Sequence, residues 1–455
     1  MAWADANYNH KKQITIDKDK VAGDETDFPI LISITDADLT GCRADGYDIK
    51  FYNAAEDTQL KHERQRWNNG TGELIAWVKI PSLSSITDTI IYMYYEYAAE
   101  AIDQADPENV WDSNYVMVLH MHGANANAID DSTSNNNDVT GSNGCSFQQA
   151  GKIGYCVEFV RGSSEYLEVA DSASLDTITD ELTMEFWMNL DTIGNGNFEW
   201  ILGKYDTDAN ERCYVAQFKQ QAGNDYLRLY GSEDGGTGEF THIREDDQDF
   251  SFDSWYHTMM TLPSGNNKDG EIYLDGTDAG TTEVRAEIDS IHTNNVPFTI
   301  ACEYDSGGHD DYFSGKLDEI RLSKVDRGSN WASTAYESQS TPTTFLSFGA
   351  EQTGGTNWEK SLSESLTLSE SIVKEIEINK SDSITITEST TKEIEINKSD
   401  SFTISDSLIT KLGVFFKLPL KSIIKKRWKY NVVKTQRNKY RKKDGKKYKY
   451  KIKEE

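Results

Sequence analysis

Three residues in this chain have the chemistry of a hard-cation site: Asp131, Asn135 and Asp318. The first two lie in DDSTSNNNDVTGSNG (Asp130–Gly144), a loop dense in Asp and Asn. Such side chains bond their own backbone in turns, and they also supply the oxygens that calcium takes. Asp318, followed by Glu319, stands near the start of the alternating segment in GKLDEIRLSKVDRGSNW (Gly315–Trp331). An Asp there either caps the neighbouring turn or holds a cation together with oxygens from another loop. No His or Cys lies in either motif, so calcium is the expected ion and zinc is not. His120 and His122, two apart in VWDSNYVMVLHMHG (Val110–Gly123), fall on one face of a strand and make half a metal site. No third ligand accompanies them, and packing is the expectation for both.

A second chemistry is sugar recognition. It sets aromatic faces against the apolar faces of sugar rings, while carboxylates and amides bond the hydroxyls. Asn195, Asn197, Trp200, Tyr205, Asp206, Asp305, His309, Asp310 and Tyr312 are of the right types and read as exposed loop residues. Asn197, Trp200, Tyr205, Asp305, His309 and Tyr312 form the candidate ligand-binding set. The chain has no Gly-x-Ser-x-Gly elbow, no His-Glu-x-x-His and no phosphate loop, so no catalytic residue is assigned.

These residues sit in a chain of sharply divided charge. The sequence holds 46 Lys+Arg and 76 Asp+Glu over 455 residues. Residues 411–455 carry 18 of the basic and 3 of the acidic groups, a net +15. The first 410 therefore hold 28 basic and 73 acidic groups, a net −45. A body so anionic repels nucleic acid and acidic membranes, and only the basic end has the charge for an acidic partner. No apolar run is long enough for a transmembrane helix, and the start, MAWADANYNHKK, lacks the apolar core of a secretory signal. Five Cys (42, 145, 156, 213 and 302) with no C-x-x-C argue against a zinc ribbon. Cys145 and Cys156 flank a short turn and could face each other, but free buried thiols are the expectation.

The elements that must position the site are strands. KKQITID, FPILISIT, YDIKFYN, GELIAWVKIP and TIIYMYY follow one another between residues 7 and 98, with turn residues between them. Val110–Gly123 alternates as a bridging strand, and Ile320 and Leu322 alternate with Arg321 and Ser323. From Thr353 the composition turns to Ser, Thr, Glu and Ile. KEIEINKSDS at Lys374–Ser383 returns at Lys392–Ser401, a period of 18 residues. Each unit is too narrow to bury a core, so the stretch reads as a linker or as a stalk ordered by pairing between chains.

Two resemblances organise this reading. NYNHKKQITID, DFPILISITDADL, DGYDIKFYN and TGELIAWVKIPSLSS occur in order and resemble the DUF2341 family, which implies a β-sandwich and no assigned chemistry. AGKIGYCVEFVRGSSEYLEVADSASLD (Ala150–Asp176), LTMEFWMNLD, SWYHTMMT, GEIYLDGTDAG and the Leu-Asp-Glu-Ile-Arg strand resemble the LamG-like, concanavalin A-like lectin/glucanase jelly roll. That resemblance implies that the Asp131 loop and Asp318 lie close together, which is the ground for a calcium ion between them. The glucanases of this fold carry Glu-x-Asp-x-x-Glu. Here Glu245–Asp247, Glu287–Asp289 and Glu303–Asp305 are followed by Phe250, His292 and Gly308 where the third acid belongs.

The expected architecture is all-β. A DUF2341-like sandwich spans 1–108 and a LamG-like jelly roll spans 109–352, followed by a repeat stalk (353–410) and a basic Lys/Tyr-rich tail (411–455). The expected function is a non-catalytic carbohydrate-binding or adhesion protein, a surface or virion component of the tail-fibre kind. It would bind a cell-surface or extracellular glycan, associate with itself through the repeat, and have no specific nucleic-acid partner. A purely structural surface protein is the alternative, and a glycan-degrading enzyme a second one.

Overall fold

The computed structural model describes residues 3–191, 198–207, 210–221, 224–236, 241–248, 250–265, 270–280, 282–283 and 288–354, with five short strands between 366 and 404. Residues 1–354 form one compact unit and 355–455 a second.

The N-terminal strands build two antiparallel sheets. In one, strand His10–Ile16 lies between Thr89–Tyr95 and Leu346–Phe348, and Lys50–Asn53 and Gln59–Leu60 continue beyond Thr89–Tyr95. The other sets Glu73–Leu83 between Glu25–Thr35 and His62–Asn68. Ile14, Ile16, Phe51, Ile91 and Met93 meet Ile30, Ile32, Ala76 and Val78 in a shared core.

The second sandwich has two eight-stranded sheets. At the centre of one, Gly315–Ser323 pairs with Leu182–Leu190, Tyr155–Phe159 and Tyr115–Leu119. The facing sheet includes Tyr166–Val169, Phe298–Ile300, Phe198–Lys204 and Tyr214–Gln221. Between them pack Met184, Phe186, Met188, Ile320 and Leu322 from one side and Leu167, Val169, Phe218, Leu227 and Ile300 from the other.

Strand Leu182–Leu190 is buried at all nine positions, so both of its faces are covered. The reason is that the sheet's outer face packs on the 25–35/73–83/62–68 sheet, with helix Gly328–Ser340 beside it. Trp331 of that helix meets Phe28 at 4.5 Å between ring centres. Ser338 Oγ accepts from the Leu31 amide at 3.1 Å. The helix was not anticipated, because its buried side includes Thr334, Ser338 and Gln339 beside Trp331 and two Ala. That is a polar stripe, not the apolar one that marks a helix in sequence.

The strands that follow the second sandwich rejoin the first. Leu346–Phe348 pairs Ile16 with Leu346 and Ile14 with Phe348, and Gln352–Thr353 pairs with Lys11 and His10. The chain returns to its first sheet, so the second sandwich is inserted between strands of the first. The returning strands cover the outer edge of His10–Ile16, whose amides and carbonyls would otherwise stay unpaired.

In the second unit the described strands run parallel. Leu366 pairs with Ile384, Thr385 with Thr403 and Glu377 with Glu395, each at the offset of the 18-residue sequence period. The described strands of the repeat thus pair with one another within the chain. The basic tail, 411–455, lies outside the described residues.

Candidate functional site

The expected calcium ligands are placed by strand Gly315–Ser323 and by the loop after Tyr115–Leu119. The 315–323 strand carries one extra residue opposite Glu185–Trp187, a β-bulge, and Glu319 at the bulge has φ 51°. Successive strand residues normally face opposite ways. Here Leu317 and Ile320 both enter the sandwich core, which leaves Asp318 and Glu319 together on the other face. Asp318 is fully buried and accepts the Ile153 amide at 2.9 Å. Gly151 gives it room, since a Cβ there would stand 2.7 Å from Asp318 Oδ2. Burial, and then the neighbouring Glu319, push the Asp318 carboxyl well above the carboxylate range.

Asp131 is otherwise engaged. Its Oδ1 accepts the amides of Val118 and Thr133 at 2.9 and 3.0 Å, and its Oδ2 accepts Thr133 Oγ1 and the Asn137 amide at 2.8 and 2.9 Å. Asn135 Nδ2 donates to the carbonyl of Val116 at 3.0 Å. The Asn-rich loop is thus stapled to strand 115–119 by hydrogen bonds. Among the described residues no three His, Cys, Asp or Glu side chains converge to hold a metal ion. Asp131 and Asn135 both bond strand 115–119, whereas the bond to Asp318 comes from the Ile153 amide.

His120 lies in a buried polar network between the two sandwiches. Its Nδ1 is 2.8 Å from Glu319 Oε2 and its Nε2 3.1 Å from Glu63 Oε2, and the ring stacks against Trp77. Arg321 bridges Glu319 at 3.0 Å and Glu185 at 2.8 Å, with its guanidinium 4.3 Å from the Trp77 ring centre. Glu185 Oε1 also accepts Gln339 Nε2 at 2.8 Å and lies 3.2 Å from His257 Nε2. Burial pulls the His120 imidazole down, but Glu319 and Glu63 outweigh it and hold the group up to about 10. For Glu185 burial pushes up, and Arg321 and then His257 outweigh it, holding the carboxyl down to about 2. The strand alternation had put His120 in packing. What it could not show is that the packing consists of charges.

The sugar-type residues gather at one end of the second sandwich. Glu303–Asp305 and Gly308–Asp310 form a hairpin. Its two turn residues, Ser306 and Gly307, both have positive φ, 49° and 84°, the requirement of a type I′ turn. The hairpin sets His309 against Tyr166, ring on ring, with centres 3.8 Å apart and planes at 17°. His309 Nε2 lies 3.1 Å from Glu168. The Tyr304 ring meets His309 edge-on at 5.6 Å, and Tyr312 stands 6.5 Å from Tyr166. Tyr312 Oη donates to the His309 carbonyl at 2.6 Å, and Arg161 Nε donates to the Tyr312 carbonyl at 3.0 Å. Tyr166, Glu168, Tyr304, Asp305, His309 and Tyr312 are all half-buried, so the cluster presents both ring surface and carboxylate to solvent.

Two expected ligand residues are not on that surface. Trp200 is only 5 % exposed and Tyr205 6 %, and they pack with Val215 and Tyr230 in a small separate core. Trp200 lies on strand Phe198–Lys204, not in an exposed loop, and its amide bonds the Asp311 carbonyl at 3.0 Å. Asn195 and Asn197 lie outside the described residues. Asp305, His309 and Tyr312 are brought together, and Tyr166, Glu168 and Tyr304 join them unanticipated. The signal for the first two was present: in EYLEV, Leu167 and Val169 turn inward, which sends Tyr166 and Glu168 outward.

The fold defines an all-β protein with one two-sheet sandwich built onto another. Family models agree and give the order: a domain of unknown function, DUF2341, matches residues 45–140, and the concanavalin A-like lectin/glucanases superfamily matches 161–333. The chain carries a DUF2341 domain followed by a concanavalin A-like domain. A search of curated proteins gave no match.

Among solved structures, the binding domain of Paraclostridial Mosquitocidal Protein 1 is 15 % identical over 49 % of this chain and 52 % of its own, with a TM-score of 0.37. The botulinum neurotoxin serotype G binding domain is 12 % identical over 49 % and 50 %, with a TM-score of 0.38. A botulinum neurotoxin type C structure, whose cell entry depends on two ganglioside molecules, is 10 % identical over 50 % and 51 %, with a TM-score of 0.37. The chain spans about half the length of these proteins, and a likeness of that degree carries no functional argument.

Proposed function

We propose that the chain is a non-catalytic carbohydrate-binding adhesion protein, a receptor-binding component of a cell or virion surface of the tail-fibre kind. The observation that carries this reading is the half-buried group of Tyr166, Tyr304, His309 and Tyr312 beside Glu168 and Asp305. Ring faces and hydrogen-bonding carboxylates at the rim of a concanavalin A-like sandwich are what a pyranose needs. The 18-residue repeats serve as a stalk, and the basic tail, at +15, docks to an acidic partner. No step of catalysis is assigned to any residue.

A glycan array read with the wild type and with Tyr166→Ala tests the proposal. Binding to at least one glycan, lost in the variant while the melting midpoint holds, is the expected outcome. Absence of binding across the array refutes it in favour of the structural alternative. That alternative draws on the inward placement of Trp200 and Tyr205. Product analysis on the bound glycans exposes a hydrolase if there is one.

A further inference from the structure

The rim cluster has a charge as well as a shape, and the charge restricts its ligand. Residues 298–315, which contain the hairpin, hold Glu303, Asp305, Asp310 and Asp311 and no Lys or Arg. Glu168 adds a fifth carboxylate 3.1 Å from His309. Arg161, a cation at this rim, is held by Glu199 and by the Tyr312 carbonyl. Resting on the reading above, we infer that the glycan recognised at this rim is uncharged, and that sialylated or sulfated glycans are rejected.

The physical argument is one of like charge. A sugar ring laid against Tyr166 or Tyr312 brings its substituents among Glu168, Asp305 and Asp310. Asp310 is exposed and Asp305 half-buried, so both field lines and hydrogen-bond acceptors reach the ligand. Hydroxyls donate to these oxygens, whereas a sulfate or a sialic acid carboxylate brings only acceptors and a second negative charge. The guanidinium that would otherwise meet an anion bidentately is engaged. The same carboxylates act on a buried group beside them. Glu303 is pushed up to about 8, first by burial and then, against the lowering bond from Thr207, by Asp310, Asp311 and Asp305. The net −45 of the first 410 residues extends the repulsion beyond contact range.

The test uses the full chain and matched pairs on one array: neutral oligosaccharides, and the same oligosaccharides carrying sialic acid or sulfate. The neutral member of a bound pair is expected to bind about tenfold tighter than its acidic partner, a difference of ~1.4 kcal/mol. The gap narrows as salt is raised from about 0.02 M to about 0.3 M, because the Debye length falls well below the reach of the rim. Asp305→Asn combined with Asp310→Asn also narrows the ratio of neutral to acidic binding. An acidic member that binds as well as its neutral partner or better overturns this inference and leaves the adhesion reading standing. A ratio unchanged in the double variant overturns it as well. If no member of any pair binds, the adhesion reading itself falls, and this inference with it.

Discussion

Glu185→Gln gives a direct test of the charged layer between the sandwiches. The substitution keeps the shape of the side chain and removes its charge. Glu185 faces three donors, Arg321 and Gln339 at 2.8 Å and His257 at 3.2 Å, and it is buried on strand Leu182–Leu190. Neutralising it leaves the Arg321 guanidinium buried with Glu319 as its remaining carboxylate partner. Breaking a buried ion pair costs roughly 3–5 kcal/mol, and here Arg321 is left with one carboxylate that it shares with His120. Midpoints move ~2–4 °C per kcal/mol in domains of 150–250 residues, and a larger unit sits at the low end, so a drop of about 5–10 °C is expected. Thermal melts followed by far-UV circular dichroism and by tryptophan fluorescence measure it, the latter sensitive to Trp77 and Trp187 at the network. Both signals should fall together, since the two sandwiches share this layer. Arg321→Met on top of Glu185→Gln should recover part of the loss by removing the orphaned charge. A Glu185→Gln midpoint within about 1 °C of wild type, or an Arg321→Met that adds its full separate penalty, refutes the argument.

The same network sets a pH window. His120 is held up to about 10 from an ordinary 6.5, so its stabilisation is complete below about pH 6.5 and fades as pH climbs through 10; Glu185, held down to about 2 from 4.5, contributes above about pH 4.5 and loses its contribution as pH falls through 2. Urea midpoints should drop between pH 8 and 10 in the wild type and less steeply in His120→Gln; parallel curves count against the assignment. Asp131→Asn should cost about 1–3 kcal/mol by disturbing four hydrogen bonds, and melts with calcium or chelator should leave the wild-type midpoint in place. A midpoint that rises with calcium and stops rising in Asp131→Asn would instead put a metal ion at this loop. A chain ending at Gly354 should fold, whereas one ending at Phe345 should lose cooperative melting, because strand His10–Ile16 forfeits its pairing with Leu346–Phe348; equal midpoints for the two would show those strands to be dispensable.

Much of the architecture was legible in the sequence. Period-2 alternation and turn residues marked the strands, since a strand's side chains must alternate whatever packs on them. The 18-residue period was visible in the sequence, and the described strands pair at that offset. The charge division between body and tail is composition alone. Less legible was whether a strand has one covered face or two: MEFWMNL reads as a core strand either way, and only the neighbouring sheet explains Glu185 within it. The bulge at Glu319 was hidden as well, because it depends on a count of residues in the partner strand, and without it Asp318 and Glu319 would face opposite sides.

Side-chain destinations divided in the same way. Residue type nominated Asp131, Asp318, Trp200, Tyr205, His309 and Tyr312 alike, since type states what a group can bond and not what has already bonded it. Tertiary contacts decided that Asp131 spends its oxygens on backbone amides and that Trp200 and Tyr205 turn into a core. They also decided that His309 reaches Tyr166, 143 positions earlier in the chain, to make the rim. The sequence by itself determined which segments are strands, where the repeat falls and how charge is divided, because those are local or compositional properties. Only the tertiary structure decided that the second sandwich is inserted into the first, that charges line their junction and which aromatics reach solvent. Each of those depends on residues far apart in sequence meeting at contact distance.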